Sequence, residues 1–307
     1  MSGGLVQAPA KLTAYLAVLT VVLLAALGVG ALVGPWEVGG SVEDGHGMTG
    51  TAAMQQDVVT PAGLSASQSG YTFAIDDAAF TPGVARPFSF RILGPGGTAV
   101  TSYDTRHERD LHLIVTSDDL ADYQHVHPGL DSDGTWTTTL ALPRAGGYRA
   151  YADFAPAGAK PLTLGVALTA AGFLAPQRLP APTSIATVAG YEVRLQGAMS
   201  AGSETEVVFQ VQRDGAPVNG LEPYLGAYGH LVAVRAADLA YLHVHPTPAS
   251  STQAVAFAVE ALSPGAYRLF LDFQHGGVVR TAAFTVDVPA GTGGTTTPDG
   301  EGGHGGH

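Results

Sequence analysis

Histidine is the residue best placed to do chemistry in this chain. There are 11 His and no Cys among 307 residues, so thiolate ligands, disulfides and cysteine nucleophiles are excluded. Seven His stand in or beside two related stretches, one with His107, His112, His125 and His127, the other with His230, His243 and His245. In both stretches a second His lies 13 positions after the first motif His and opens a His-X-His-Pro element (His125 to Pro128, His243 to Pro246). Side chains at i and i+2 of a strand share a face, roughly 7 Å apart. His125 with His127, and His243 with His245, can therefore aim two imidazoles at one point. His112 or His230, on a neighbouring strand, can complete a three-nitrogen set. Imidazole suits Cu(II), Zn(II) and Ni(II), and not Mg or Ca. Copper is the expected ion and zinc the alternative. The competing expectation is that these His are structural, bonding a loop in a duplicated fold.

Other residues are secondary candidates. Asp153 and Asp272 occupy matching places in a Tyr-Arg-X-X-X-Asp-Phe strand. Each is a candidate fourth ligand, or an outer acceptor that orients an imidazole N–H. Alternatively each caps a turn or pairs with Arg149 or Arg268. His107 has Leu225 at its place in the second stretch, and is either an extra ligand or a solvated side chain. His275 is a lesser ligand candidate. Asp119 and Asp238 are expected to cap short helical turns, and Tyr103 and Tyr224 to lie in the core. His46, Met48, His304 and His307 sit in Gly-rich segments that could capture metal weakly. Gly-X-Ser-X-Gly, His-Glu-X-X-His and P-loop signatures are absent. A three-His ion with an open position could support hydrolysis or oxidation, but no general base recurs at matching positions. The expectation is a protein that is not an enzyme.

These motifs belong to a longer duplication. Gly147 to Phe154 answers Gly265 to Phe273, and Gly70-Tyr71 answers Gly190-Tyr191. A unit of about 110 residues is too long for a solenoid repeat and fits an independent domain. Both units carry alternating, β-branched or aromatic runs, such as Phe88-Ser-Phe-Arg-Ile and Val207-Val-Phe-Gln-Val. Turn signals such as Asp131-Ser-Asp-Gly separate the runs. About seven short strands per unit is the pattern of an immunoglobulin-like sandwich. The expected fold is all-β, two tandem β-sandwich domains after an N-terminal transmembrane helix. The domains are drawn at 57–180 and 181–289, with a Pro-rich seam at Pro176, Pro180 and Pro182. Residues 35–56 read as a flexible tether and 290–307 as a disordered Gly/His tail.

Residues 12–34 carry no charge, and as a helix they reach roughly 30 Å, enough to cross a bilayer core. Lys11 precedes them, while Glu37, Glu43 and Asp44 follow. The positive-inside rule puts residues 1–11 in the cytoplasm and the domains outside. A cleaved signal peptide, cut near Ala31 or Gly34, is the alternative, and it also exports the domains. The net charge of −12, with 14 Lys+Arg against 26 Asp+Glu, argues against a nucleic-acid partner.

The block from His112 through His125-Val-His127-Pro128, followed by Gly147 to Phe154, resembles bacterial extracytoplasmic heavy-metal-binding-domain or YtkA-like proteins. The resemblance covers each repeat. It implies an immunoglobulin-like sandwich, a metal-handling role, and a metal transporter or another extracytoplasmic protein as partner. The expected function is to buffer or deliver copper, or zinc, through duplicated sites His112/His125/His127 and His230/His243/His245. A non-catalytic interaction or structural protein is the alternative.

Overall fold

The computed structural model describes residues 60–242, 244–248 and 250–290, together with Thr20. The expected transmembrane segment (Thr20 apart), the tether at 35–56 and the tail beyond 290 lie outside these residues. Among the described residues, no helix is long and apolar enough to cross a membrane.

The first repeat comprises β1 (Ser67–Gln68), β2 (Tyr71–Ile75), β3 (Ala79–Phe80), β4 (Arg86–Leu93), β5 (Leu111–Ser117), β6 (Tyr123–Val126), β7 (Gly129–Leu130), β8 (Thr135–Leu140), β9 (Gly146–Phe154) and β10 (Leu162–Ala170). They form two sheets, ordered β1-β2-β4-β8-β7 and β3-β10-β9-β5-β6. The second repeat comprises β11 (Ile185–Val188), β12 (Tyr191–Gln196), β13 (Glu204–Arg213), β14 (Ala216–Pro217), β15 (His230–Arg235), β16 (Tyr241–Leu242), β17 (Val244–Pro246), β18 (Ala254–Glu260), β19 (Gly265–His275) and β20 (Val278–Val288). Its sheets are β11-β12-β13-β18-β17, with β14 on β13, and β16-β15-β19-β20.

Alternation along each strand explains the layers. In the first repeat Phe73, Phe88, Phe90 and Trp136 of one sheet meet Leu113, Val115, Tyr148 and Phe154 of the other. In the second, Val193, Phe209 and Phe257 meet Leu231, Leu269, Phe273 and Phe284. Such two-sheet packing buries one face of every strand and normally leaves the other wet.

β5 departs from that pattern, because all seven of its residues are buried. Its odd positions, Leu111, Leu113 and Val115, enter the first core, while Ile114 enters a third cluster with Tyr151, Val232, Val234, Tyr241 and Phe270. That cluster joins the β5/β9 face of the first repeat to the β15/β19 face of the second. Tyr123 stacks on Phe270 with ring centroids 4.2 Å apart. The Tyr151 hydroxyl donates to Leu239 O at 2.8 Å. The segment before β1 lies along the same seam: Tyr241 N donates to Ala62 O at 2.9 Å, and Arg149 Nη1 to Gly63 O at 2.9 Å. Gly165 permits this approach, since a Cβ there would stand 1.9 Å from Gly63 O.

The turns at Asp119 and Asp238 are not helical. Leu120 and Leu239 take left-handed φ values of 56° and 65°. Each Asp accepts from a backbone N–H two residues on, Ala121 at 3.2 Å and Ala240 at 3.1 Å. Their side chains also pair with Arg144 and Arg235.

Because Tyr151 is fully buried in the seam, Tyr151→Ala is expected to cost about 3–5 kcal/mol, read from the shift in urea midpoint. A loss below about 1 kcal/mol would show that the repeats do not dock through this ring.

Candidate metal centre at the junction of the repeats

The strand register sets the centre. His112 is the second residue of β5 and lies opposite Asp153 of β9; His230 opens β15 and lies opposite Asp272 of β19. All four positions belong to the strand faces that meet at the seam. The apolar middle of that seam is closed by Ile114, Tyr151, Val232 and Phe270, and its polar end gathers the histidines.

His112, His125 and His127 converge, with one ligand atom from each lying within 4.8 Å of the others. His112 Nδ1 is 3.0 Å from His125 Nε2 and 3.2 Å from His127 Nε2. The outer nitrogens have other partners. His112 Nε2 faces Arg106 O at 3.2 Å, and His125 Nδ1 faces Asp272 Oδ2 at 2.9 Å. Tyr123 donates its hydroxyl to the same Oδ2 at 3.1 Å, and Thr281 donates to Oδ1. The Asp272 and His125 side chains are only 3% and 6% exposed.

A carbonyl and a carboxylate can only accept. The single hydrogen of neutral His112 therefore sits on Nε2, and that of neutral His125 on Nδ1. Burial, with His125 as the next cause, pushes His112 down to about 2 and His127 down to about 3, so both rings are neutral at pH 7. With His125 uncharged as well, His112 Nδ1 and His125 Nε2 would present lone pairs to each other at 3.0 Å. Two such atoms repel unless a positive species lies between them. Three imidazoles bound at about 2.0–2.1 Å to one tetrahedral ion hold their nitrogens roughly 3.3–3.4 Å apart. The two separations at His112 Nδ1, 3.0 and 3.2 Å, are slightly shorter than that, so these residues fit an ion after a small opening.

The second repeat adds His230. Its Nε2 lies 3.0 Å from Tyr224 O and 3.3 Å from Leu225 O, so its hydrogen also sits outside and Nδ1 is bare. Burial first, then His125 and His107, lower His230 to about 4. Its ring centroid stands 6.0 Å from that of His112 and 6.1 Å from that of His125. His107 reaches the same place from the first repeat, 5.2 Å from His230 and 6.1 Å from His112. It has a left-handed φ of 47°, like its counterpart Leu225 at 55°, so the two repeats share a strained loop and differ in its side chain. Burial, then Arg106 and His245, lower His107.

The carboxylates do not behave as a symmetric pair. Asp272 supports an imidazole of the other repeat. Asp153 accepts from Thr163 Oγ1 at 3.2 Å, and burial raises it to about 6. Neither pairs with Arg149 or Arg268: those guanidinium groups donate to Gly63 O and Thr285 Oγ1. His245 is exposed on β17. His243, the counterpart of His125, lies outside the described residues, as do His46, Met48, His304 and His307. His275 bonds Tyr191 through Nδ1 at 2.8 Å. Tyr103 packs against the first core, where its hydroxyl accepts from Trp136 Nε1. Tyr224 is not a core residue: its carbonyl holds His230, and its ring lies 6.3 Å from that of His127.

Sequence reasoning missed Tyr123, Thr281 and the carbonyls of Arg106 and Tyr224. Two of these had a signal. Tyr stands two residues before each His-X-His, at Tyr123 and Tyr241. Thr163 and Thr281 lie opposite Asp153 and Asp272 in the ladders.

No curated protein matches the chain. Among solved structures it is similar to the Escherichia coli adhesin FdeC, at 13% identity and TM-score 0.25 over 73% of this chain and 65% of that one. It is similar to InvD of Yersinia pseudotuberculosis at 14% identity and TM-score 0.24, over 73% and 59%. It is also similar to invasin, a bacterial integrin-binding protein, at 12% identity and TM-score 0.23, over 72% and 39%. The chain spans less than two thirds of each, and scores this low carry no function across. Residues 66–171 and 186–290 each match a Domain of unknown function (DUF8832). Those two segments make up more than half of the chain, which therefore belongs to the DUF8832 family and carries its domain twice.

Proposed function

We propose that this protein binds a copper ion, with zinc as the alternative, through His112, His125 and His127, and buffers or delivers it without turnover. The observation that carries this reading is the convergence of three imidazole nitrogens, with His112 Nδ1 3.0 Å from His125 Nε2 and 3.2 Å from His127 Nε2, and with acceptors behind the His112 and His125 rings. Neutral imidazoles without thiolate neighbours suit Cu(II) and Zn(II), and a carboxylate behind a ligating His fixes its ring and raises its basicity. The uncharged segment at 12–34 supports a single-pass anchor, with the sandwiches on the outer side of the membrane. A metal transporter or another extracytoplasmic protein is the partner class in this reading.

A second reading rests on the same atoms. One proton between His112 Nδ1 and His125 Nε2 would also satisfy both rings, and His125–Asp272 would then be an ion pair tying the repeats. The protein would in that case be a tandem β-sandwich interaction module with structural His.

Calorimetric titration with Cu(II) and Zn(II) separates the two. Tight binding that disappears in His125→Ala/His127→Ala, with circular dichroism unchanged, is expected. Absence of tight binding in the folded wild type selects the interaction module. Asp272→Asn is expected to weaken metal affinity about 10–100-fold while the stoichiometry stays the same; unaltered affinity would remove Asp272 from the site.

The metal-free protein should also be acid-sensitive. His112, His127 and His230 have lowered values in the fold, so between pH 6.5 and about 4 the unfolded chain binds protons that the folded chain does not. Their stabilisation is complete above pH 6.5 and is lost as pH falls. Asp153 acts in the opposite sense, since its contribution is lost as pH rises through about 6, but it is one carboxyl against three imidazoles. The urea midpoint should therefore fall from pH 7 to pH 5, and fall less in His112→Ala. A flat profile in the wild type would contradict the neutral-ring assignment.

A further inference from the structure

We infer that His230 is the fourth ligand of the ion held by His112, His125 and His127, so that a single ion clasps the two repeats. This rests on the three-His reading above and adds a donor from the other half of the chain.

Three observations converge on it. The outer nitrogen of His230 is taken by the carbonyls of Tyr224 and Leu225. That is the arrangement by which Arg106 O holds His112, and it leaves Nδ1 of each ring as the free donor. The spacing is also close to what one ion requires. The triad's ring centroids are 5.2, 5.0 and 4.8 Å apart, near the roughly 5 Å expected for imidazoles sharing a tetrahedral ion at bond lengths of about 2.0–2.1 Å. His230, at 6.0 and 6.1 Å from His112 and His125, is within about 1 Å of that spacing. Finally, a void of about 40 Å³ lies among His107, His112, His125, Asp153 and His230. A space of that size admits a particle of about one water's dimensions, between His230 and two of the triad's rings.

His230 is 9% exposed, and a polar ring buried beside other polar rings is costly unless its inward nitrogen has a partner. Coordination would supply one. A four-imidazole set has no open position, which fits holding an ion better than reacting at it. Because the donors come from both repeats, binding would also draw the β5/β9 and β15/β19 sheets together.

Nitrogen counting tests this on the full-length protein loaded with one equivalent of Cu(II). Electron spin-echo modulation and X-ray absorption should give four imidazoles in the wild type, and four again in His304→Ala/His307→Ala. His230→Ala should give three imidazoles and an oxygen ligand, with affinity reduced more than tenfold. Three imidazoles in the wild type would overturn the inference even if the variant could not be made folded. Two ions bound per chain under excess Cu(II), one of them lost in His230→Ala, would overturn it as well, since His230 would then serve a second site. A folded wild type that binds no copper would instead defeat the three-His reading itself.

Discussion

The histidine centre depends on the face-to-face packing of one sheet from each repeat. His112 is the second residue of β5 and His230 the first of β15, and in both strands the following residues alternate between a sandwich core and the seam. The polar end of the seam is largely buried because Ile114, Tyr151, Val232 and Phe270 close its middle; His112 and His230 are 6% and 9% exposed. That burial lowers the imidazole basicities, makes Asp272 a strong orienting group, and turns a cluster of polar side chains into a set of directed donors. If the sheets were separated, His125 would lose its carboxylate and the triad would be three solvated rings.

Much of this was legible in the sequence. The period-2 spacing of His125 and His127 already put two imidazoles on one side, and the common interval to His112 and His230 marked those residues as partners. The strand runs and turn signals were enough for two-sheet sandwiches, because alternation reports which side of a strand meets a core. The buried run from Leu111 to Ser117 carried a further hint, since strands covered on both faces lose their alternation. It was not decisive, because a short apolar run reads equally well as an ordinary core strand.

The pairing across the seam was not legible. Which carboxylate meets which imidazole depends on contacts between residues 147 positions apart, and no local pattern encodes the docking of two complete sandwiches. The tautomers were hidden for a related reason: they are set by backbone carbonyls at Arg106 and Tyr224, and carbonyls leave no mark on residue type. Tyr224 looked like a core aromatic because only its side chain is visible in a sequence, whereas its carbonyl is what holds His230. His107 stood among charged residues that suggested solvent, yet its left-handed turn carries it inward.

The exchange of groups between the halves has a consequence for what a single domain can do. Tyr123 and His125 reach the acid of the other half, and Tyr151 reaches the carbonyl of Leu239. The polar contacts run one way, but the rings are reciprocal: Tyr123 lies on Phe270 and its counterpart Tyr241 on Tyr151, as in a two-fold symmetric pair. A chain with only one copy of the domain could build such a centre only by self-association, at a strength set by its concentration. Joining two copies through a short connection removes that dependence. It also frees the halves to diverge, and the His107/Leu225 difference shows that they have done so.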